Sequence, residues 1–199
     1  SVDLPWDPTD IAWLLLHGLV AVSGMLIALL LRRNDASAGE ADPDALFLLR
    51  HSAAHIMAQA VLDLYRLPLP TAAAIAGHAT AGGTILALSA DYRLIAAGRK
   101  MMGLNEINIG VPVPFLAALM LRQIVGDRTA RDLQYKGDLI HPETAMSVGL
   151  VDDIGPGEKI EALALEAIGA LADKPQKAFG LIKRNRTETL ARQFESRRS

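Results

Sequence analysis

The sequence predicts an α/β domain in which much helix surrounds a buried sheet, and three observations carry that expectation. Of its 199 residues 51% are hydrophobic, with Ala and Leu abundant, which favours helices packed on a sheet. That length suits one domain able to bury a sizeable core. A single domain over 1–199 is expected, with a core at 11–155 and a helical C-terminal part at 156–199. The third observation is the order of segments in AAAIAGHATAGGTILALSADYRLIAAGRKMMGLNE, residues 72–106. It reads as a buried strand (Ala72–Ala76), a small-residue turn (Gly77–Gly83), a short apolar helix ending near Ala90 and a second strand (Tyr92–Ala97). A further turn and short strand end on Asn105 and Glu106.

Taken in order, residues 1–10 are polar and broken by proline, an irregular lead-in. Residues 11–31 contain no charged residue. As one helix they would span roughly 31 Å, enough for a bilayer core. Arg32 and Arg33 would then keep the C-terminal part in the cytoplasm. The alternative is a strand at Ala12–Leu16, a turn at His17-Gly18, then a loop and a helix start around Ser23-Gly24-Met25. Gly18, Ser23 and Gly24 favour this second reading, as does the soluble character of the rest. Residues 32–43 read as a surface loop. A helix follows from Asp44, with Leu46, Leu49, Ala53, Ile56, Met57, Ala60 and Leu64 along one face. His51 and His55 are four apart on it, but without an intervening acid they read as solvated histidines, not metal ligands. Pro68 and Pro70 end this helix.

Beyond Glu106 the chain turns at Gly110–Pro114 and enters a core helix at Phe115–Val125. Gly126-Asp127 breaks it before a second short helix, Arg128–Tyr135. Pro142 suits the start of another helix and Gly149 its end, ahead of a strand. Residues 157–172 form an amphipathic helix, and Pro175 opens the last one. Lys177, Lys183, Arg184 and Arg186 make that end basic, which suits either a solvated helix face or a contact to phosphates.

The bulk numbers exclude several classes. A net charge of −2 gives no field for nucleic acid or an anionic surface, and the few aromatics offer no stacking platform for bases. With no cysteine, disulfides, thiolate metal sites and a Cys nucleophile are absent, and a cytoplasmic home is expected. The turn Gly77–Gly83 lets a ligand approach the backbone closely. It also opens a helix whose first N–H groups lack internal partners, which suits a phosphate or a developing oxyanion. Close strand–helix packing would also explain its small residues.

The blocks GHATAGG, SADYRLIAA, GLNEINIGVPVPF and IVGDRTARDLQYKGDLIHPETAMSVGLVDDI together resemble the crotonase (enoyl-CoA hydratase/isomerase) superfamily. The resemblance runs from about Pro68 to Ile154 and more weakly over 177–188. The GLNE form followed by GVPVPF is most similar to the Δ3,Δ2-enoyl-CoA isomerase branch. This implies an α/β spiral of strand-helix units with C-terminal helices, in a homotrimer or a dimer of trimers. Relatives begin with a strand-helix unit and end with helices that this chain lacks, so the spiral is expected to be shortened at both ends.

The resemblance also implies the chemistry, an acyl-CoA reaction of the kind found in fatty-acid β-oxidation. A thioester carbonyl acidifies the neighbouring C–H, but its enolate needs two N–H donors on the oxygen and a carboxylate at the proton. Glu106 is implied as the acid/base, with the backbone N–H groups of Gly82 and Met25 as donors. Its neighbours Met101, Met102, Leu104, Ile107 and Ile109 suggest an apolar pocket, although a surface glutamate at a strand end is the plainer alternative. Around the acyl-CoA the resemblance implies Ser23, Leu26 and Ile27 from the first loop, His78 and Ala81 from the turn, Asn105 and Pro114 beside Glu106, and Lys183 from the basic end. Coenzyme A arrives as part of the substrate, and no separate cofactor, metal, nucleic acid or membrane is implied. Two departures stand out. The first loop is one residue short, with Leu26 where Asp is usual, and Ile85 stands where hydratases carry a second glutamate. A single acid/base fits isomerisation better than hydration. Hydration, a non-catalytic acyl-CoA-binding subunit and a protein anchored through 11–31 are the alternatives.

Overall fold

The computed structural model describes residues 56–197, nearly all of the compact unit Met57–Ser199. The expectations for residues 1–10, the stretch 11–31 with its strand and its Ser23–Ile27 loop, the loop 32–43, the helix start at Asp44 and the His51/His55 pair lie outside the described residues. The single-domain reading over 1–199 also extends beyond them. No helix among the described residues is long and apolar enough to cross a membrane.

Helix α1 (56–66) buries Val61, Leu62 and Tyr65 and ends before Pro68. The two strands and the helix between them appear as expected, but the stretch read as a turn, Gly77–Gly83, holds a short strand and the helix start: β1 (Ala72–Ile75), β2 (Ala79–Thr80), α2 (Gly82–Leu88), β3 (Tyr92–Ala96) and β4 (Met102–Gly103). After β4 a 3-10 turn occupies Glu106–Ile109, so Glu106 opens a helical turn and does not end a strand. Helix α3 (Phe115–Lys136), α4 (Pro142–Ser147), β5 (Asp153–Gly155), α5 (Ile160–Ala172) and α6 (Gln176–Glu195) complete the described chain.

Among the described residues two parallel sheets form, one of order β1-β3-β5 and one of β2 with β4. The central strand β3 is buried through Arg93, Leu94, Ile95 and Ala96, as a strand covered on both faces should be. Alternation sends Leu94 to one face, where it meets Ile160 and Ala164 of α5, and Ile95 to the other, in the main core. The expected break in α3 is present: Gly126 has φ 77 and ψ 165, a backbone that L-residues avoid. Pro142 opens α4, and Gly149, at φ 75, lies one residue past its C-cap.

Burial on α6 follows Lys183, Thr187, Leu190, Ala191 and Phe194, the spacing of one helical face. Gln123 of α3 accepts a hydrogen bond from the Tyr65 hydroxyl of α1 and donates another to the Arg186 carbonyl of α6. Lys183 corrects the expectation that it serves substrate phosphates. Its side chain is 3% exposed, and its ammonium lies 2.6 Å from Asp91 Oδ2 and 2.9 Å from the Leu69 carbonyl. The Asp91 carboxylate also accepts from the Thr71 N–H and hydroxyl, so the pair clips α6 to the start of β1 and β3. Desolvation draws the lysine below its ordinary range, and Asp91 offsets part of that. Lys177, Arg184 and Arg186 remain exposed.

Arg93 is the second charge held in the interior. It donates to the carbonyls of Leu150, Ala90 and Asp91 and pairs with Asp152 at 3.2 Å. It thereby joins β3 to the segment leading into β5.

Two outcomes follow for stability. Lys183→Met strands Asp91 in a largely buried position, and urea unfolding should show a loss of about 3 kcal/mol, the low end for a broken buried pair because Thr71 still donates to the carboxylate. Gly103→Ala places a Cβ 2.6 Å from the Asp138 carbonyl oxygen. Backbone must shift to admit it, so the same measurement should show a loss of about 1–3 kcal/mol.

Candidate active site

The site is built on the short parallel pair. Ala79 is in register with Met102 and Thr80 with Gly103. Because parallel strands run the same way, both leave the pair at the same end. There β2 passes through Ala81 into Gly82, and β4 passes through Leu104 and Asn105 into Glu106. The Ala79 N–H donates to the Met101 carbonyl at 2.9 Å and the Ala81 N–H to the Gly103 carbonyl at 3.0 Å. The register therefore brings the start of α2 and Glu106 to one edge, although 24 positions separate Gly82 from Glu106 in the sequence.

Ala81 adopts φ 46 and ψ −111, the one positive φ outside glycine among the described residues. This strained backbone sits immediately before Gly82, where strain of this kind is often held at functional sites. A Cβ added to Gly82 would meet nothing within 4 Å among the described residues.

Glu106 is 6% exposed, and its Oε2 is the one buried side-chain polar atom without a hydrogen-bond partner among the described residues. Its backbone is fixed: the Glu106 carbonyl accepts from Val111, and Gly110, at φ 70, closes the turn. A buried carboxylate oxygen left unpaired costs free energy that a structural role would not need. Leu104 and Met102 are buried, but Ile107 and Ile109 are 49% and 72% exposed. The apolar surroundings expected from these two isoleucines are thus corrected. Side chains on a 3-10 turn splay about 120° apart, so Ile107 points away from the direction Glu106 takes.

His78 is exposed in the turn, Asn105 is half-buried beside Glu106, and Pro114 is exposed at the N-cap of α3. Lys183 lies in its own buried pair with Asp91. Met25, Ser23, Leu26 and Ile27 lie outside the described residues. Ile85 packs against the main core, so that position supplies an apolar side chain and no carboxylate. One residue escaped the sequence reading. Thr84 is fully buried and its hydroxyl contacts both Ala79 and Gly103. A hydroxyl in an otherwise apolar helix, directly after the turn, was its only sequence signal.

The family model for enoyl-CoA hydratase/isomerase matches residues 51–199. The human mitochondrial enoyl-CoA delta isomerase 1 is 37% identical over 123 residues, covering 61% of this chain and 41% of the relative. Enoyl-CoA delta isomerase 3 of Arabidopsis thaliana is 38% identical over 94 residues, covering 47% of this chain and 38% of the relative. The matched part thus spans about two fifths of the length of these relatives. The crystal structure of human mitochondrial delta3-delta2-enoyl-CoA isomerase superposes with a TM-score of 0.75 at 28% identity, over 90% of this chain and 77% of that one. With the family model covering three quarters of its length, and with that fold, the chain belongs to the enoyl-CoA hydratase/isomerase family of the crotonase superfamily.

Proposed function

We propose that this protein is an enoyl-CoA isomerase that moves the double bond of a 3-enoyl-CoA to the 2-position. The observation that carries the reading is the buried Glu106 carboxylate, whose Oε2 has no hydrogen-bond partner among the described residues, at the same strand end as the Gly82 backbone. Glu106 takes a proton from C2 of the thioester, the electron pair moves onto the carbonyl oxygen as an enolate, and the protonated Glu106 returns the proton at C4 as the double bond settles between C2 and C3. Atoms balance without any co-reactant. The Gly82 N–H stabilises the oxyanion, with the Met25 N–H as the second donor by resemblance. The apolar Ile85 favours proton movement between carbons over hydration, which would use a second carboxylate to activate water.

Coenzyme A enters as part of the substrate, and the reaction needs neither metal nor redox cofactor. A homotrimer or a dimer of trimers is the assembly this family reading implies. The cytoplasmic setting rests on the cysteine-free composition alone; the human relative is a mitochondrial protein by name.

The test uses 3-enoyl- and 2-enoyl-CoA thioesters as separate substrates. Isomerisation of the first without hydration of the second is the expected result, and Glu106→Gln should lower it by roughly 10²- to 10⁴-fold. Acyl-CoA binding by the variant should stay within a few-fold of the original. Undiminished turnover by Glu106→Gln would sink the assignment.

A further inference from the structure

The two halves of the site meet at one oxygen atom. Thr84 is the third residue of α2, two after Gly82, and is 0% exposed. Its Oγ1 lies 2.6 Å from the Ala79 carbonyl oxygen, 2.9 Å from the Gly103 carbonyl oxygen and 3.1 Å from the Gly103 nitrogen. A hydroxyl carries one proton and two lone pairs. It therefore accepts from the Gly103 N–H while sharing its proton between the two carbonyls. A helical threonine that bonds backward ordinarily reaches the carbonyl three or four residues earlier in its own helix. Here one acceptor lies five residues back on β2 and the other 19 residues ahead on β4.

The placement matters because the strand pair is so short. β2 and β4 have two residues each, so few ladder bonds hold their register. Ala79 lies three residues before Gly82, and Gly103 three before Glu106. The Gly103 carbonyl also accepts from the N–H of Ala81, the residue in the left-handed region. Loss of the Thr84 hydroxyl would leave the Gly103 N–H without that acceptor and loosen the peptide that restrains Ala81.

We infer that Thr84 is a positioning residue, whose hydroxyl fixes the spacing between the Gly82 N–H and the Glu106 carboxylate and keeps Ala81 in the backbone conformation that precedes Gly82. This rests on the isomerase reading above. Thr84 touches no substrate and acts only through those two groups, so its effect belongs in the rate of the chemical step and not in substrate affinity.

Thr84→Val keeps the shape and removes the hydroxyl; Thr84→Ser keeps the hydroxyl. Assayed well below the melting temperature of each variant, Thr84→Val should lower kcat about 10- to 100-fold, as small misplacements of reacting groups do. Its KM and its affinity for a saturated acyl-CoA should stay within about threefold. Thr84→Ser should recover kcat to within about threefold of the original. Amide hydrogen exchange read by NMR should quicken at Gly103 in Thr84→Val and not in Thr84→Ser. If Thr84→Val does not fold, Thr84→Cys, with a weak S–H donor of similar size, takes its place, and a lowered kcat is again expected. A folded hydroxyl-free or thiol variant with the original kcat overturns the inference, whatever its melting temperature. So does a kcat that the serine does not restore. An original protein without isomerase turnover instead overturns the isomerase reading, and the inference falls with it.

Discussion

The pairing of β2 with β4 is the constraint on which the site depends. Two parallel strands of two residues each are a weak element by themselves, since strand pairing gains stability from length and from neighbouring packing. Their register nonetheless decides whether the start of α2 and the turn carrying Glu106 open at one edge. A slip of one residue would reverse which side chains face the core. The structure guards against that slip with fully buried Met102, with Gly103 pressed against the Asp138 carbonyl, and with the antiparallel bridge from Met102 to Ile140. The segment 138–140 thus covers the far side of β4, so that this strand is held from both sides.

Charge in the interior is treated in two contrasting ways. Lys183 and Arg93 are buried, and each has an acidic partner and carbonyl acceptors. They join helix α6 and the approach to β5 onto the central strand, and their desolvation is offset by those bonds. Glu106 is buried with one oxygen unpaired. Leaving a buried acceptor unsatisfied costs about 1–3 kcal/mol, and the fold carries that cost at the strand end where Ala81 is also strained. Two departures from low free energy thus lie along one edge, while Lys183 and Arg93, the other buried charges among the described residues, are satisfied; this edge is therefore the candidate site.

Family membership and the residues of the site point in the same direction without being the same statement. The enoyl-CoA hydratase/isomerase family, as its name states, covers two reactions, and the shared fold does not choose between them. In the proposed reading Ile85 bears on the choice, because its side chain joins the core and no carboxylate stands at that position. Residues 23–27, to which the resemblance assigns the second donor, lie outside the described residues, so the part of the candidate site seen in detail is the part around Gly82 and Glu106.

Much of the architecture was legible in the sequence because its signals are local. Proline at 142, glycine at 126 and glycine at 149 act on their own backbone, and each marks a helix start, break or end where expected. The small-residue turn before Gly82 and the apolar runs of β1 and β3 are likewise properties of a few adjacent residues. Glu106 was legible through the family pattern around it. The partners of buried polar groups were not. Lys183 meets Asp91 across 92 residues and Thr84 meets Gly103 across 19, contacts that exist only after the strands have paired. The basic run around Lys183 suggested a solvated or phosphate-facing helix, yet its spacing to Thr187, Leu190, Ala191 and Phe194 places it on the buried face. Ile107 and Ile109 misled in the opposite sense, because neighbours in sequence diverge on a tight turn. Sequence alone determined the order of the main elements and their breaks, since backbone preference and periodicity act over short distances, and its family pattern singled out Glu106 as a candidate. Only the tertiary structure decided which polar groups meet, since strand register and helix docking set that geometry.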